Sequence, residues 1–157
     1  MTLEFSTSSK QRLEETLKLY PDKRAALLPA LWLAQREFGY VSQEAMEYVA
    51  GLLGLSPAYV YGVSTFYSMY HKQPKGRHLI QVCTNISCAL MGAEHVVEYL
   101  AQKLGIKAGG TTPDGKFSLV CVECLGACGG APMMQVNDTY YENLTREKID
   151  KILAELK

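Results

Sequence analysis

Four of the five cysteines fall into two close pairs, and a thiol is the side chain best suited here to hold a metal. Cys83 and Cys88 have four residues between them, and Cys124 and Cys128 have three. The long segment between the pairs must fold back if the four thiols are to meet. Four thiolates around one point bind either a structural zinc ion or an iron-sulfur cluster. The spacing therefore predicts a metal centre built from these four residues.

Spacing alone separates these two kinds of metal site only weakly. Structural zinc sites favour two to four residues between paired cysteines, so the first pair lies at the upper limit. An iron-sulfur cluster gains from backbone N–H groups that point at sulfur. Small residues lie beside the second pair, in Leu125-Gly126-Ala127 and Gly129-Gly130. They would let the main chain wrap closely around inorganic sulfide, although an ordinary glycine-rich turn has the same composition. These residues favour a 2Fe-2S cluster and leave zinc as the alternative.

The fifth cysteine, Cys121, offers a different pairing with Cys124. Their two-residue spacing is that of a redox dithiol or of half a zinc site. Alternation along a predicted strand, however, places Cys121 on the same face as Phe117 and Leu119, which predicts a buried apolar position. A thioredoxin-type dithiol also belongs at the start of the helix after the first strand, where this chain has the wider first pair. We therefore interpret Cys121 as a structural residue outside the metal site.

The elements that position the cysteines differ between the two halves of the chain. Residues 8 to about 70 show the apolar periodicity of a small helical bundle. Ser8 and Gln11 form a possible capping box for the first helix, and Asp22 caps a second helix that Pro29 should kink. A third helix is predicted over residues 42–53, and Ser56-Pro57 opens a fourth.

From about residue 75 the pattern changes to alternating strands and helices. In chain order we predict a strand over 78–83, a helix over 89–104 with Leu90 on its inward stripe, a turn at 112–115, a strand over 117–122, short strands over 133–136 and through 140–141, and a helix after Thr145. The first two strands end at the two cysteine pairs. We expect an α+β protein with a helical bundle and connector in residues 1–74 and a domain of thioredoxin-like size in residues 75–157.

Composition excludes several classes of function. Sixteen basic and sixteen acidic side chains cancel, so no broad positive field favours nucleic acid as a partner. No stretch approaches the roughly 18 apolar residues needed to cross a bilayer, and the segment from Met1 to Ser6 lacks the pattern of a secretory signal. An odd number of cysteines argues against a secreted disulfide framework. We expect a cytoplasmic protein without direct membrane insertion.

Other candidates for chemistry are weaker. The three histidines, His71, His78 and His95, share no helical face and no short metal spacing. Ser64-Thr65 has no histidine and acid arranged around it in the sequence. Aromatic residues between Tyr59 and Tyr70 are either core or a docking surface for a partner. We therefore predict no catalytic residue in this chain.

The motifs together resemble one protein family over nearly the whole chain. They are CTNISC at 83–88, TPDGKF at 112–117, ECLGAC at 123–128 followed by Ala131-Pro132, and GVSTFY at 62–67. These segments are similar to those of the 2Fe-2S subunit of bacterial NADH:quinone oxidoreductase, which is respiratory complex I. The resemblance implies an N-terminal helical bundle followed by a thioredoxin-like ferredoxin domain. It also implies Cys83, Cys88, Cys124 and Cys128 as the ligands of a 2Fe-2S cluster, with Cys121 outside the set.

The resemblance further implies a role in electron transfer. NADH yields two electrons as hydride, whereas a 2Fe-2S centre changes by one, so a flavin must stand between them. This chain has no dinucleotide fingerprint, and the family supplies a separate flavoprotein subunit that binds FMN and NADH. We expect a one-electron carrier whose cluster lies near that FMN, in the peripheral arm of a membrane complex. The chain is then part of an NADH dehydrogenase and not catalytic by itself.

Two alternatives accompany this expectation. Related subunits of NAD-linked hydrogenases and formate dehydrogenases carry similar cluster domains, so the motifs identify a module more securely than an assembly. The alternative from a different class is a zinc-stabilised interaction module, which would hold one zinc per chain and be colourless.

Overall fold

The computed structural model describes residues 3–156, so the first two residues of the amino-terminal segment lie outside the described residues, as does Lys157. The chain divides into two compact units between Pro74 and Lys75. The first unit is built from helices, and the second contains a four-stranded sheet with helices. Each unit has its own apolar core.

The helices of the first unit are α1 (Thr7–Leu17), a 3-10 turn (Lys23–Ala26), α2 (Leu27–Phe38), α3 (Gln43–Leu53) and α4 (Pro57–Phe66). The third and fourth helices follow the predicted caps. Ser42 accepts a hydrogen bond from the backbone N–H of Ala45, and Ser56 accepts one from Tyr59. Gly54, in a left-handed conformation, ends α3 as predicted.

The first two helices differ from the prediction. Ser6, and not Ser8, caps α1, because its hydroxyl accepts the backbone N–H of Ser9 at 3.3 Å. Asp22 caps the short 3-10 turn, so α2 begins later than expected. The predicted kink at Pro29 is wrong. Pro29 is the third residue of α2 and lies in the first turn, where an N–H has no partner within the helix.

The core of the first unit collects the apolar faces of its four α-helices and Phe5. Three polar residues are also buried among the described residues of this unit, Ser9, Ser64 and Gln35, and of these Gln35 is 7% exposed. Its side-chain amide donates to the Met69 carbonyl at 3.0 Å and accepts from the His71 N–H at 2.6 Å. Gln35 therefore holds the end of the unit, after α4, against the bundle.

Among residues 3–156 no single helix has both the length and the apolar composition of a membrane span. Together α3 and α4 meet both criteria, and they are bent by 120° relative to each other.

The second unit contains β1 (His78–Cys83), α5 (Ile86–Leu90), α6 (Ala93–Leu104), β2 (Phe117–Val122), a 3-10 turn (Cys128–Gly130), β3 (Met134–Val136), β4 (Thr139–Tyr141) and α7 (Arg146–Glu155). The strand order is β2-β1-β3-β4. The central strand β1 pairs parallel with β2 and antiparallel with β3, and β3 pairs antiparallel with β4. The core between the sheet and helices α6 and α7 contains Ile80, Leu119 and Val136, which are register partners across three strands.

The predicted helix over 89–104 is two helices. Asn85 caps α5 by accepting the Ile86 N–H at 2.8 Å, so helical structure begins earlier than expected and includes Cys88. Gly92 has φ +90° and separates α5 from α6. Leu90, predicted to face inward, is 83% exposed because it belongs to α5 and not to the stripe of α6.

Candidate metal centre

The two cysteine pairs lie at the ends of neighbouring strands. Cys83 ends β1 and Cys88 lies in α5, while Cys124 and Cys128 lie in the loop that follows β2. We call residues 123–130 the cysteine loop. Cys83 and Cys88 are 3% and 1% exposed, whereas the two cysteines of the loop are exposed. The site is therefore closed on one side and open at the protein surface on the other.

The pKa shifts of the two buried thiols show that the cysteine pairs lie close enough to interact. Burial raises the pKa of Cys83, but backbone N–H groups and the side chains of Cys88 and Cys124 outweigh it, so the net pKa is lowered. Burial raises the pKa of Cys88, and Cys83 and Cys128 add to that rise. Cys83 thus interacts with Cys124, and Cys88 interacts with Cys128, so each member of the first pair has a partner in the second.

Backbone groups act on the pKa of both buried thiols, and one N–H donates to a sulfur of the cysteine loop. Asn85 and Leu125 act to lower the pKa of Cys83, and Met133 acts to lower that of Cys88. The hydrogen bond from Gly126 to the Cys124 Sγ measures 3.3 Å. Such donors favour the charged thiolate over the thiol. They are the groups that an iron-sulfur centre needs around its sulfur ligands.

Two glycines of the cysteine loop are required for different reasons. Gly126 has φ +74°, in the left-handed region that side-chain-bearing residues rarely adopt. Gly130 has no such conformation, but a Cβ there would lie 2.2 Å from the Glu142 Oε2 and 2.6 Å from the Glu142 Cβ. A close approach beside the second pair is thus found at Gly130, against Glu142, whereas Gly126 is required by its backbone conformation. The wrapping of the main chain around inorganic sulfide stays a prediction.

Cys121 is exposed, so its predicted burial is wrong. It lies on the outermost strand β2, and the core that covers Phe117 and Leu119 does not extend to it. Although the residue as a whole is exposed, atoms close to its sulfur bury it enough to raise the pKa of Cys121, and no other cysteine contributes to that shift. Burial thus favours the neutral form of the Cys121 thiol, and its place outside the ligand set stays a prediction.

No other group of side chains in residues 3–156 competes for a metal. His95 is exposed and lies 3.6 Å from Glu98, and His78 packs against the ring of Phe117. Within the same residues no three or more His, Cys, Asp or Glu side chains are arranged to hold a metal ion as they stand. Four cysteine thiols fit a 2Fe-2S cluster, and the same donor set also suits a structural zinc.

Two contributors to the site carry no motif. The Met133 backbone acts to lower the pKa of Cys88, and the hydroxyl of Tyr140 donates to the Leu125 carbonyl at 2.8 Å. Strand alternation predicts only that Tyr140 and Tyr141 point to opposite faces. The contact of Tyr140 with the cysteine loop follows from the folded sheet alone.

A thioredoxin-like unit with four converging thiols defines a class of iron-sulfur protein. Residues 13–157 match the thioredoxin-like 2Fe-2S ferredoxin family, and the chain belongs to that family. The family resemblance and the α+β fold predicted from the sequence are confirmed.

Several relatives are named as components of the same oxidoreductase. An NADH-quinone oxidoreductase subunit of Rhizobium meliloti is 45% identical over 144 residues, which cover 92% of this chain and 86% of the relative. Subunit 2 of the Thermus thermophilus NADH-quinone oxidoreductase is 45% identical over 98% of this chain and 86% of its own length. The corresponding NADH-quinone oxidoreductase subunit of Rickettsia bellii is 44% identical over 98% of this chain and 93% of its own length.

A solved structure shares the fold. The crystal structure of an NAD+-reducing NiFe hydrogenase in the H2-reduced state superposes with a TM-score of 0.73 over 83% of this chain. The chain spans 22% of that hydrogenase chain, and the two are 21% identical. At this identity the likeness concerns the fold alone.

Proposed function

We propose that this protein is the one-electron carrier subunit of an NADH:quinone oxidoreductase and holds a 2Fe-2S cluster on Cys83, Cys88, Cys124 and Cys128. The observation that carries the proposal is the approach of four thiols after the ends of two neighbouring strands, with backbone groups beside three of the sulfurs that favour the thiolate. Support also comes from relatives at 44–45% identity that are named as subunits of this oxidoreductase.

The residues of the site have separable tasks. A 2Fe-2S cluster, when bound, supplies a centre that changes by one electron. Cys83 and Cys88 hold its inner side, where the buried Ala93 and Met133 exclude water. Cys124 and Cys128 hold the side that faces solvent. Backbone groups beside three of the sulfurs stabilise the negative charge of the thiolates.

The partner in this proposal is the flavoprotein subunit of the complex, which binds FMN and NADH. Hydride chemistry then takes place on the partner, and this chain exchanges single electrons with the flavin from the peripheral arm of the complex. The open side of the site leaves room for such a partner. The aromatic segment from Tyr59 to Tyr70 supports docking as well, because Tyr61 is 58% and Phe66 80% exposed. Exposed aromatic side chains of this size are typical of interfaces.

The alternative assemblies have less support. The likeness to a hydrogenase chain is at 21% identity and concerns the fold, whereas the relatives named for NADH-quinone oxidoreductase match almost the whole chain at more than twice that identity. We therefore place the chain in an NADH:quinone oxidoreductase rather than in a hydrogenase or a formate dehydrogenase.

Anaerobic purification followed by metal and sulfide analysis tests the proposal. We expect a brown protein with two irons and two sulfides per chain, since a 2Fe-2S cluster has that composition. Replacing any one of Cys83, Cys88, Cys124 and Cys128 by alanine should abolish or grossly change the reduced-state spectrum. Cys121→Ala is the matched control and should retain it. One zinc per chain, or loss of the spectrum only in the control, would overturn the proposal.

A further inference from the structure

The peptide between Leu125 and Gly126 is held at both ends in the cysteine loop. Its carbonyl, on Leu125, accepts the hydroxyl of Tyr140 at 2.8 Å. Its N–H, on Gly126, donates to the Cys124 Sγ at 3.3 Å. In a trans peptide the carbonyl and the N–H point in opposite directions. A bond that fixes the carbonyl on one side therefore fixes the N–H on the side of the sulfur.

The backbone of the loop does not fix this peptide by itself. Gly126 adopts φ +74°, but glycine populates positive and negative φ with similar ease. The space beside it is open, because a Cβ there would meet no atom within 4 Å. Rotation of the peptide about its two flanking bonds would turn the N–H away from Cys124. A contact from outside the loop has to decide its orientation.

Tyr140 is well placed to provide that contact. It is the middle residue of β4 and pairs in register with Gln135 of β3, which in turn pairs with β1, the strand that ends at Cys83. Its hydroxyl therefore comes from the same sheet that positions the first cysteine ligand. The side chain is 48% exposed, so core packing does not explain the residue.

Leu125 connects Tyr140 to both cysteine pairs. Its backbone lies close to the Cys83 thiol, and the next N–H, on Gly126, donates to the Cys124 Sγ. The contact of Tyr140 with the Leu125 carbonyl thus falls on the stretch of backbone that faces both sulfurs. These sulfurs belong to different pairs and lie on the buried and the exposed side of the site.

We propose that Tyr140 is a positioning residue of the metal centre, which orients the Leu125–Gly126 peptide so that its N–H stays on the Cys124 sulfur and raises the reduction potential. The inference rests on the proposed function, since it requires the 2Fe-2S cluster. A hydrogen bond to a ligand sulfur stabilises the extra negative charge that reduction adds. Loss of the hydroxyl should therefore make the site harder to reduce.

Tyr140→Phe tests this because it removes one oxygen from an exposed side chain and keeps the ring. The matched control is Tyr99→Phe, which loses a hydroxyl that donates to the Asp150 Oδ1 at 2.8 Å, between α6 and α7. Both variants and the unchanged chain are purified anaerobically with their iron and titrated against dyes of known potential. At the potential that half-reduces the unchanged protein, the ratio of reduced to oxidised cluster in Tyr140→Phe should fall about three- to tenfold. For a one-electron couple this is a midpoint about 30–60 mV lower.

A second measurement reports the position of the Gly126 nitrogen relative to the cluster. In protein labelled with ¹⁵N-glycine, pulsed EPR of the reduced, paramagnetic cluster should detect a coupling to the Gly126 nitrogen. That coupling should weaken in Tyr140→Phe and stay unchanged in Tyr99→Phe. A merely structural role of Tyr140 would leave both the coupling and the potential where they are.

The outcomes separate the two proposals. If the unchanged protein holds its two irons and Tyr140→Phe has the same potential and the same ¹⁵N coupling, the role of Tyr140 is overturned and the proposed function stands. If the unchanged protein holds no 2Fe-2S cluster, both proposals fail together. A potential shift of equal size in Tyr99→Phe would also overturn the role of Tyr140.

Discussion

Gly130→Ala should destabilise the second unit although it adds a single methyl group. The new Cβ would lie 2.2 Å from the Glu142 Oε2 and 2.6 Å from the Glu142 Cβ. The carboxylate oxygen can rotate away, because it is the far end of a flexible side chain. The Glu142 Cβ cannot, since it is bonded to the backbone directly after β4.

The backbone at this point is also held by hydrogen bonds. The Gly130 carbonyl accepts the Asn143 N–H at 2.7 Å, and the Gly130 N–H donates to the Ala127 carbonyl at 3.1 Å. Relieving the overlap therefore moves either the end of β4 or the cysteine loop. Overpacking of this kind costs about 1–3 kcal/mol of the free energy of unfolding. In a unit of this size each kcal/mol lowers the thermal midpoint by about 4–8 °C.

Gly129→Ala is the matched control, because a Cβ at Gly129 meets nothing within 4 Å and its φ is not positive. Thermal unfolding of the holoprotein, followed by far-UV circular dichroism and by the visible absorption of the cluster, should show a lower midpoint for Gly130→Ala only. Combining Gly130→Ala with Glu142→Gly should restore part of the loss, because it removes the overlapping atoms. Equal midpoints for Gly130→Ala and Gly129→Ala would refute the reasoning from Cβ contacts.

Three further predictions concern the potential, the partner and the first unit. The midpoint potential of the cluster should be near the roughly −400 mV of all-cysteine plant-type centres, and a value above about 0 mV in a spectroscopic titration would contradict four-thiolate ligation. Phe66→Ser should weaken binding to the flavoprotein partner in a calorimetric titration, whereas Leu19→Ser, at a site equally exposed but outside the aromatic segment, should not. Burial, with a smaller effect of Tyr67, raises the pKa of Tyr70 from an ordinary 10.0 to about 12. Because the unfolded chain then loses this proton at a lower pH than the folded chain, the free energy of unfolding should fall as the pH rises from about 10 to about 12. Tyr70→Phe should lack that fall, and it should lose about 1 kcal/mol of the free energy of unfolding at neutral pH because it removes the hydrogen bond to the Leu28 carbonyl. In urea titrations the free energies of unfolding of the two proteins should therefore converge as the pH rises. A difference that stays constant with pH would show that Tyr70 ionises equally in the folded and unfolded states.

Local signals in the sequence predicted many of the elements accurately. Both long strands have the predicted bounds, 78–83 and 117–122, because each is a short apolar run bounded by turn residues. The helices α3 and α4 were predictable for a similar reason, since serine caps and Pro57 act on the adjacent backbone only. Where the controlling contacts are local, the sequence was sufficient.

Predictions failed where a contact distant in sequence, or the backbone conformation of a glycine, decides where a helix ends or whether a side chain is buried. Gly92 is compatible with one continuous helix, but its left-handed conformation separates α5 from α6 and leaves Leu90 at the surface. The strand alternation that places Cys121 with Leu119 is correct, yet burial depends on how far the core extends along β2. Neither property is encoded in the spacing of neighbouring residues.

The candidate cysteines and most of the helices and strands were predicted from spacing and periodicity, which act along the chain, and the family was predicted from the resemblance of the motifs. The strand order β2-β1-β3-β4 and the unequal exposure of the two cysteine pairs emerge from the folded protein instead. The same holds for the contact of the Tyr140 hydroxyl with the Leu125 carbonyl, fifteen residues earlier in the chain. These features depend on pairing and packing between segments far apart in sequence, and no local pattern specifies which of those segments meet.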